Sequence, residues 1–176
     1  MKKGFTLAEV LITLGVIGVV AALTIPTLNV STKEKSLEAK QKVCVSDLEN
    51  AFTTMIASEG VADLDETKAF TETNGIVDNL QKYIKVYKSS NTECIMKNGA
   101  EIEISTTKPY KIKNSAGEEI KKDDYTALCS FDINGSEKPN IENVDIFKYA
   151  LLKTGLLEKI ETIINGIDTS QQGAQL

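Results

Sequence analysis

Between Phe5 and Ile25 the chain carries one ionisable side chain, Glu9, in a run that is otherwise almost wholly apolar. A lone carboxylate on a membrane helix costs on the order of 3 kcal/mol, and pairing it with an opposite charge recovers much of that cost. The chemistry open to Glu9 is therefore charge pairing. A second group of polar residues lies in the segment 132–147, where Asp132, Asn134 and Asp145 gather hard oxygens of the kind calcium takes. Their spacing does not fit an EF-hand loop. The plainer reading is a structural loop: Asn134-Gly135 and Pro139-Asn140 are turn formers, and Asp132 and Asp145 could accept loop amides. Three cysteines, Cys44, Cys94 and Cys129, form no CxxC motif. If the domain lies outside the cytoplasm a disulfide is allowed, and Cys94–Cys129 is the favoured pair because both occupy apolar, strand-like surroundings. The alternative is that all three are small buried hydrophobes. No His is present, which excludes His-based triads and His metal sites.

The element that must carry Glu9 is the N-terminal apolar run itself. Twenty-one helical residues, 5–25, reach roughly 31 Å, the hydrocarbon thickness of a bilayer. Three readings compete for it. A cleaved secretory signal is disfavoured by the length of the run, the lack of an Ala-x-Ala site and the presence of Glu9. A plain signal anchor accounts for the length and for Lys2 and Lys3, which stay cytoplasmic. It leaves Glu9 and Gly4 unexplained.

The third reading rests on Lys3-Gly4-Phe5-Thr6-Leu7-Ala8-Glu9-Val10-Leu11-Ile12. This segment resembles the class III signal of type IV prepilins and type II secretion pseudopilins. The resemblance implies cleavage by a prepilin peptidase between Gly4 and Phe5, N-methylation of Phe5, and pairing of Glu9 with the terminal amine of a neighbouring subunit. Pro26 falls where pilins carry a helix-kinking proline, so Phe5, Glu9 and Pro26 are the expected assembly determinants. The segment 132–147 also resembles a loop near the C-terminus of pseudopilin-like proteins, some of which hold calcium there. Here Asn143 stands where a glycine usually precedes the final aspartate by two positions, a departure from that pattern.

Beyond Pro26, Val30, Leu37, Val43 or Cys44, Leu48, Phe52, Met55 and Ile56 recur at helical spacing, opposite a face of Lys33, Glu34, Lys35, Glu38, Lys40 and Lys42. The spacing predicts one long helix, 5–58, stopped by Gly60. Residues 59–74 read as an acidic loop with a helical turn near Asp65–Phe70. A second short helix is expected over 75–86. From Thr92 the period changes to two. Asn98-Gly99 predicts a hairpin between 92–97 and 100–106. Residues 110–113 read as a strand or the start of a loop, and 114–124 as a polar turn. Further strands are expected at 125–133 and 145–153, then a Thr154-Gly155 turn into 156–160. Residues 168–176 read as a flexible tail.

The expected organisation is a leader of residues 1–4, a long helix 5–58 that is transmembrane over 5–25, a head domain 59–167 and the tail. The fold class is α+β, a long N-terminal helix packed on an antiparallel sheet of three to five strands, as in pilins. The net charge of −5 becomes −7 once Lys2 and Lys3 are removed, which argues against broad phosphate-backbone binding. No nucleophile–base pair or Gly-rich phosphate loop suggests catalysis. The expected partners are other pilins or copies of itself in a helical filament, the prepilin peptidase, membrane lipid, and an inner-membrane platform with its ATPase. Nucleic acid is not expected, no cofactor is expected to be required, and calcium is the one candidate. The expected location is the cytoplasmic membrane, single-pass with the head outside, and then a pilus or pseudopilus. A minor pilin for filament priming or DNA uptake, or a tethered domain that does not polymerise, are the alternatives.

Overall fold

The computed structural model describes residues 4–72, 75–109, 111–138 and 140–164; the side chains of 25–31 and 88 fall outside that description, as do the leader's first three residues and the expected tail. Helix α1 spans Leu7–Glu59 without interruption. It ends where the amphipathic pattern ends, at Gly60, whose φ of 68° is the left-handed conformation a helix stop requires. The helix backbone continues through position 26, and the kink expected there concerns a side chain outside the description.

The chain divides into two compact units, Met1–Ala39 and Lys40–Leu176. The boundary lies within α1. In the first unit, Leu7–Thr24 has a mean hydropathy of 2.3 and none of it is buried. Among the described residues it is the one helix long and apolar enough to cross a membrane.

The second unit is built on an antiparallel sheet of eight strands: β1 Val86–Lys88, β2 Glu93–Met96, β3 Glu101–Ser105, β4 Lys111–Asn114, β5 Glu119–Ile120, β6 Tyr125–Asp132, β7 Ile146–Leu152 and β8 Leu157–Ile164. Their order is β1-β2-β3-β6-β7-β8-β4-β5. The sheet exceeds the three to five strands expected, because the additions are short edge strands with little apolar alternation of their own. Strand β5 lies inside the polar stretch 114–124, where Ile120 is the one buried apolar residue. The short helices α2 Lys68–Thr71 and α3 Ile76–Leu80 precede the sheet. Helix α3 is shorter than expected. Gln81 donates its side-chain amide to the Val86 carbonyl at 3.0 Å, and Val86 has left the helix to pair with Met96.

The helical stripe of α1 within this unit is Cys44, Leu48, Ala51, Phe52 and Met55, all buried. Spacings of four, three, one and three keep them on one face. Cys44, not Val43, faces the core; Val43 is 52% exposed. Three hydrogen bonds tie this stretch to the sheet and its turns: Gln41 Nε2 to Tyr149 Oη at 2.6 Å, Asn98 Nδ2 to Cys44 Sγ at 3.2 Å, and Leu157 N to Glu49 Oε1 at 2.9 Å. On the sheet, Cys94, Met96, Ile102, Ile104, Ala127, Cys129, Phe131, Tyr149 and Leu151 are buried. By strand alternation, Ala150 and Leu152 face the other way. There they join a second apolar cluster with Ile112, Ile120, Tyr125 and Ile160.

The Cys94–Cys129 pairing is not formed. All three cysteines are free and buried. Strand β3 lies between β2 and β6, with Cys94 opposite Ile102 and Cys129 opposite Ile104. Two strand spacings place their backbones about 10 Å apart, beyond the reach of a disulfide. They are core hydrophobes, the other reading of the sequence.

Candidate functional site

Two places in the chain concentrate polar chemistry. The first is the start of α1. Thr6 precedes the first helical residue, and Glu9 lies three residues on. The Thr6 amide and the Thr6 hydroxyl both donate to Glu9 Oε2 at 2.8 Å, and the Glu9 amide donates to Thr6 Oγ1 at 3.3 Å. This reciprocal arrangement is a capping box, which satisfies amide donors the first helical turn cannot satisfy itself. The carboxylate also lies at the positive end of the helix dipole. Thr6 was not among the expected site residues, although Thr-x-x-Glu before an apolar run carries the signal. Further in, the Thr13 and Thr24 hydroxyls donate to the carbonyls of Val10 and Val20 at 2.9 Å, so neither exposes a bare donor to an apolar solvent.

Phe5 is 88% exposed, and Gly4 and Phe5 precede the helix in irregular backbone. The apolar side chains from Leu7 to Leu23 are exposed all round, including Leu11, Ile12, Val16 and Ile17. Among the described residues of its own unit, nothing covers this surface.

The second place is the loop between β6 and β7. Asp132 closes β6 opposite Glu101 of β3 and Ile146 of β7. Burial pushes the Asp132 carboxyl up, and the Asp145 charge adds to this; the Asn134 and Gly135 amides lower it, and Glu101 raises it again. Asp132 Oδ1 and Asn134 Oδ1 are buried without a hydrogen-bond partner. Asn134 donates its side-chain amide to the Glu137 carbonyl at 2.8 Å. Asp145 is fully buried, and its two oxygens accept the amides of Asn140 at 2.7 Å and Ile141 at 2.5 Å.

The three expected ligands thus divide into two roles. Asp132 and Asn134 present unpartnered oxygens that suit a hard cation. Asp145 uses its carboxylate to hold the loop, as an aspartate in a structural loop would. Among the described residues no three His, Cys, Asp or Glu side chains converge as a metal cluster, so a cation would depend on Asn134 and backbone oxygens as well.

Residues 1–25 match the family described as the prokaryotic N-terminal methylation motif. That motif is the class III signal of type IV pilins and pseudopilins, and it supports a type IV pilin-like or pseudopilin protein anchored in a membrane. Neither the curated proteins nor the solved structures gave a match.

Proposed function

We propose that this chain is a structural subunit of a type IV pilus-like or type II secretion pseudopilus filament. The observation that carries the reading is the methylation motif at residues 1–25 leading into a helix whose apolar surface, from Leu7 to Thr24, is nowhere buried. Such a surface is at home first in lipid and then against copies of itself. Ten Leu, Ile and Val side chains between residues 7 and 24, at about 0.5 kcal/mol each, outweigh the ~3 kcal/mol that a central carboxylate costs. Insertion therefore tolerates Glu9 but does not require it.

Its role lies in assembly. Cleavage between Gly4 and Phe5 by the prepilin peptidase leaves a positive amine one residue before Thr6, which already donates to Glu9. Each processed subunit then carries one positive and one negative group at the same end of its helix. An incoming subunit satisfies both only when it docks in register. The head lies outside the cytoplasmic membrane, and a membrane platform with its ATPase drives extraction. The protein's role is structural, not enzymatic.

Mass spectrometry of the native N-terminus tests processing: the expected species begins at N-methylated Phe5. Electron microscopy of cells overproducing the chain tests assembly. Glu9→Ala is expected to remain in the membrane fraction while filament yield falls at least tenfold. Normal filament yield from that variant sinks the assembly role.

We also propose calcium at the β6–β7 loop, held by Asp132 and Asn134 with loop carbonyls. The supporting observation is the pair of buried, unpartnered oxygens. Bound calcium would neutralise the charge that Asp132 holds against Asp145 and Glu101. Calorimetric titration is expected to give a binding heat and a raised melting temperature; neither signal appearing reduces the loop to a purely structural one.

A further inference from the structure

We infer that Thr6 is a positioning residue for the cleavage between Gly4 and Phe5: by fixing the start of α1 at Leu7 it keeps the scissile peptide unwound for the peptidase. The role rests on the processing proposed above.

Hydrolysis adds water across the Gly4–Phe5 amide, leaving a carboxyl on Gly4 and the amine on Phe5. The reacting atom is the carbonyl carbon of Gly4, and it is most accessible when the substrate lies extended in a cleft. In a helix the Gly4 carbonyl would accept the Ala8 amide, and the Phe5 carbonyl would accept the Glu9 amide. Lipid favours such winding, because it offers backbone groups no other partner. Thr6 stops it. The Thr6 carbonyl accepts the Val10 amide at 3.2 Å, the bond that opens the helical ladder. Its hydroxyl oxygen takes the Glu9 amide at 3.3 Å, the donor that winding Phe5 into the helix would need. Its own amide and hydroxyl both donate to Glu9 Oε2 at 2.8 Å. Gly4, Phe5 and Thr6 accordingly lie outside the helix, with Phe5 88% exposed.

Gly4 acts in the same direction. Its φ is not left-handed, and a Cβ placed on it would meet nothing. The fold therefore makes no steric demand for glycine there. What glycine does at that position is weaken a helix and leave one flank of the bond bare for an approaching chain.

The test uses the full-length chain in vesicles that contain prepilin peptidase. Mass spectrometry of the N-terminus follows cleavage on the alkali-resistant fraction alone. Thr6→Val keeps the shape and loses the hydroxyl; its cleavage is expected to slow about fivefold, the scale of a lost N-cap. Thr6→Ser and Thr6→Asn, which also cap, are expected to match the parent. Leu7→Pro added to Thr6→Val is expected to restore the rate. Proline is at home in the first helical position and forces the residue before it out of the helical region. Parental cleavage of Thr6→Val overturns the role of Thr6 and leaves the processing standing. An uncleaved parent chain removes the processing and this role together. Slow cleavage of Thr6→Val that Leu7→Pro does not restore means that the peptidase reads the hydroxyl itself, and overturns the positioning. An isotopic label at the Phe5 carbonyl carbon, read by NMR, reports the conformation directly. A non-helical shift is expected in the parent and a move toward the helical value in Thr6→Val; a helical parent, or no move, overturns the inference.

Discussion

Asp132 is pulled in opposite directions by its surroundings. Burial and the neighbouring charges of Asp145 and Glu101 hold its carboxyl above the ordinary carboxylate value, more than the Asn134 and Gly135 amides lower it. A carboxyl whose pKa is raised on folding binds its proton more tightly in the folded state. Its ionisation therefore destabilises the fold as pH rises from the unfolded value through the raised folded one. At neutral pH without divalent cations, Asp132→Asn is expected to raise stability by on the order of 0.5 kcal/mol, the scale of a like-charge pair across two strands. If calcium binds the loop as proposed, the parent protein gains stability from it and the same variant is expected to lose that gain. Thermal melts of both proteins, with chelator and with calcium, check this; a variant less stable than the parent in chelator contradicts the reading of Asp132. The thiols make a second prediction at this scale. Burial pushes Cys94 up to about 11 and Cys129 higher still, and it also raises Cys44. Thiolate is the reactive form, so the native chain is expected to resist a thiol reagent and the denatured chain to take up three equivalents. One equivalent after denaturation without reductant would mean that two cysteines are bonded after all.

At the scale of elements, two turns separate backbone conformation from packing. Gly117 and Gly155 both have left-handed φ, 82° and 86°. A Cβ at Gly117 meets nothing, whereas at Gly155 it meets Thr53 N at 3.1 Å and Thr53 Cγ2 at 3.2 Å. Gly117→Ala is expected to cost about 1 kcal/mol, the left-handed penalty alone. Gly155→Ala costs more, because the β7–β8 turn must also lift from α1. Equal losses in chemical denaturation would show that this close approach does not matter. The elements legible in the sequence were those whose pattern is long and whose burial is one-sided. Helix α1 has its stripe of Cys44, Leu48, Phe52 and Met55; β3 alternates Ile102 and Ile104 with glutamates; the hairpin before it is marked by Asn98-Gly99. Strand β1 was hidden because Ile76, Val77, Leu80, Ile84 and Val86 also fit a helix, and only pairing with β2 decides that Val86 belongs to the sheet. Strand β5 was hidden because two residues carry no period. Of the candidate site, the Glu9 signal was legible because a carboxylate in an apolar run stands out. The different roles of Asp132 and Asp145 were not, because they depend on which loop amides each carboxylate meets.

For the whole molecule, the distribution of apolar surface decides where the chain resides. Among the described residues, the large exposed hydrophobic side chains crowd into Phe5–Leu23, with the rest scattered singly or in the β6–β7 loop and the β1 edge. The unit from Lys40 onward buries two apolar clusters of its own and carries its hydrogen-bonded ties to α1 internally. If the apolar stem is what holds the protein to lipid, the full chain resists alkaline extraction from membranes, while a chain beginning at Lys40 is recovered in the soluble fraction with a cooperative melt. A basic surface would have offered a second route to anionic lipid, but the chain is acidic overall. Fractionation followed by immunoblotting reads the result directly. Recovery of the shortened chain with membranes would place an anchor in the head and remove the ground for assigning that task to residues 7–24. Release of the full chain by alkali would show that the apolar helix does not span the bilayer, and the order of events proposed here, insertion before assembly, would fail at its first step.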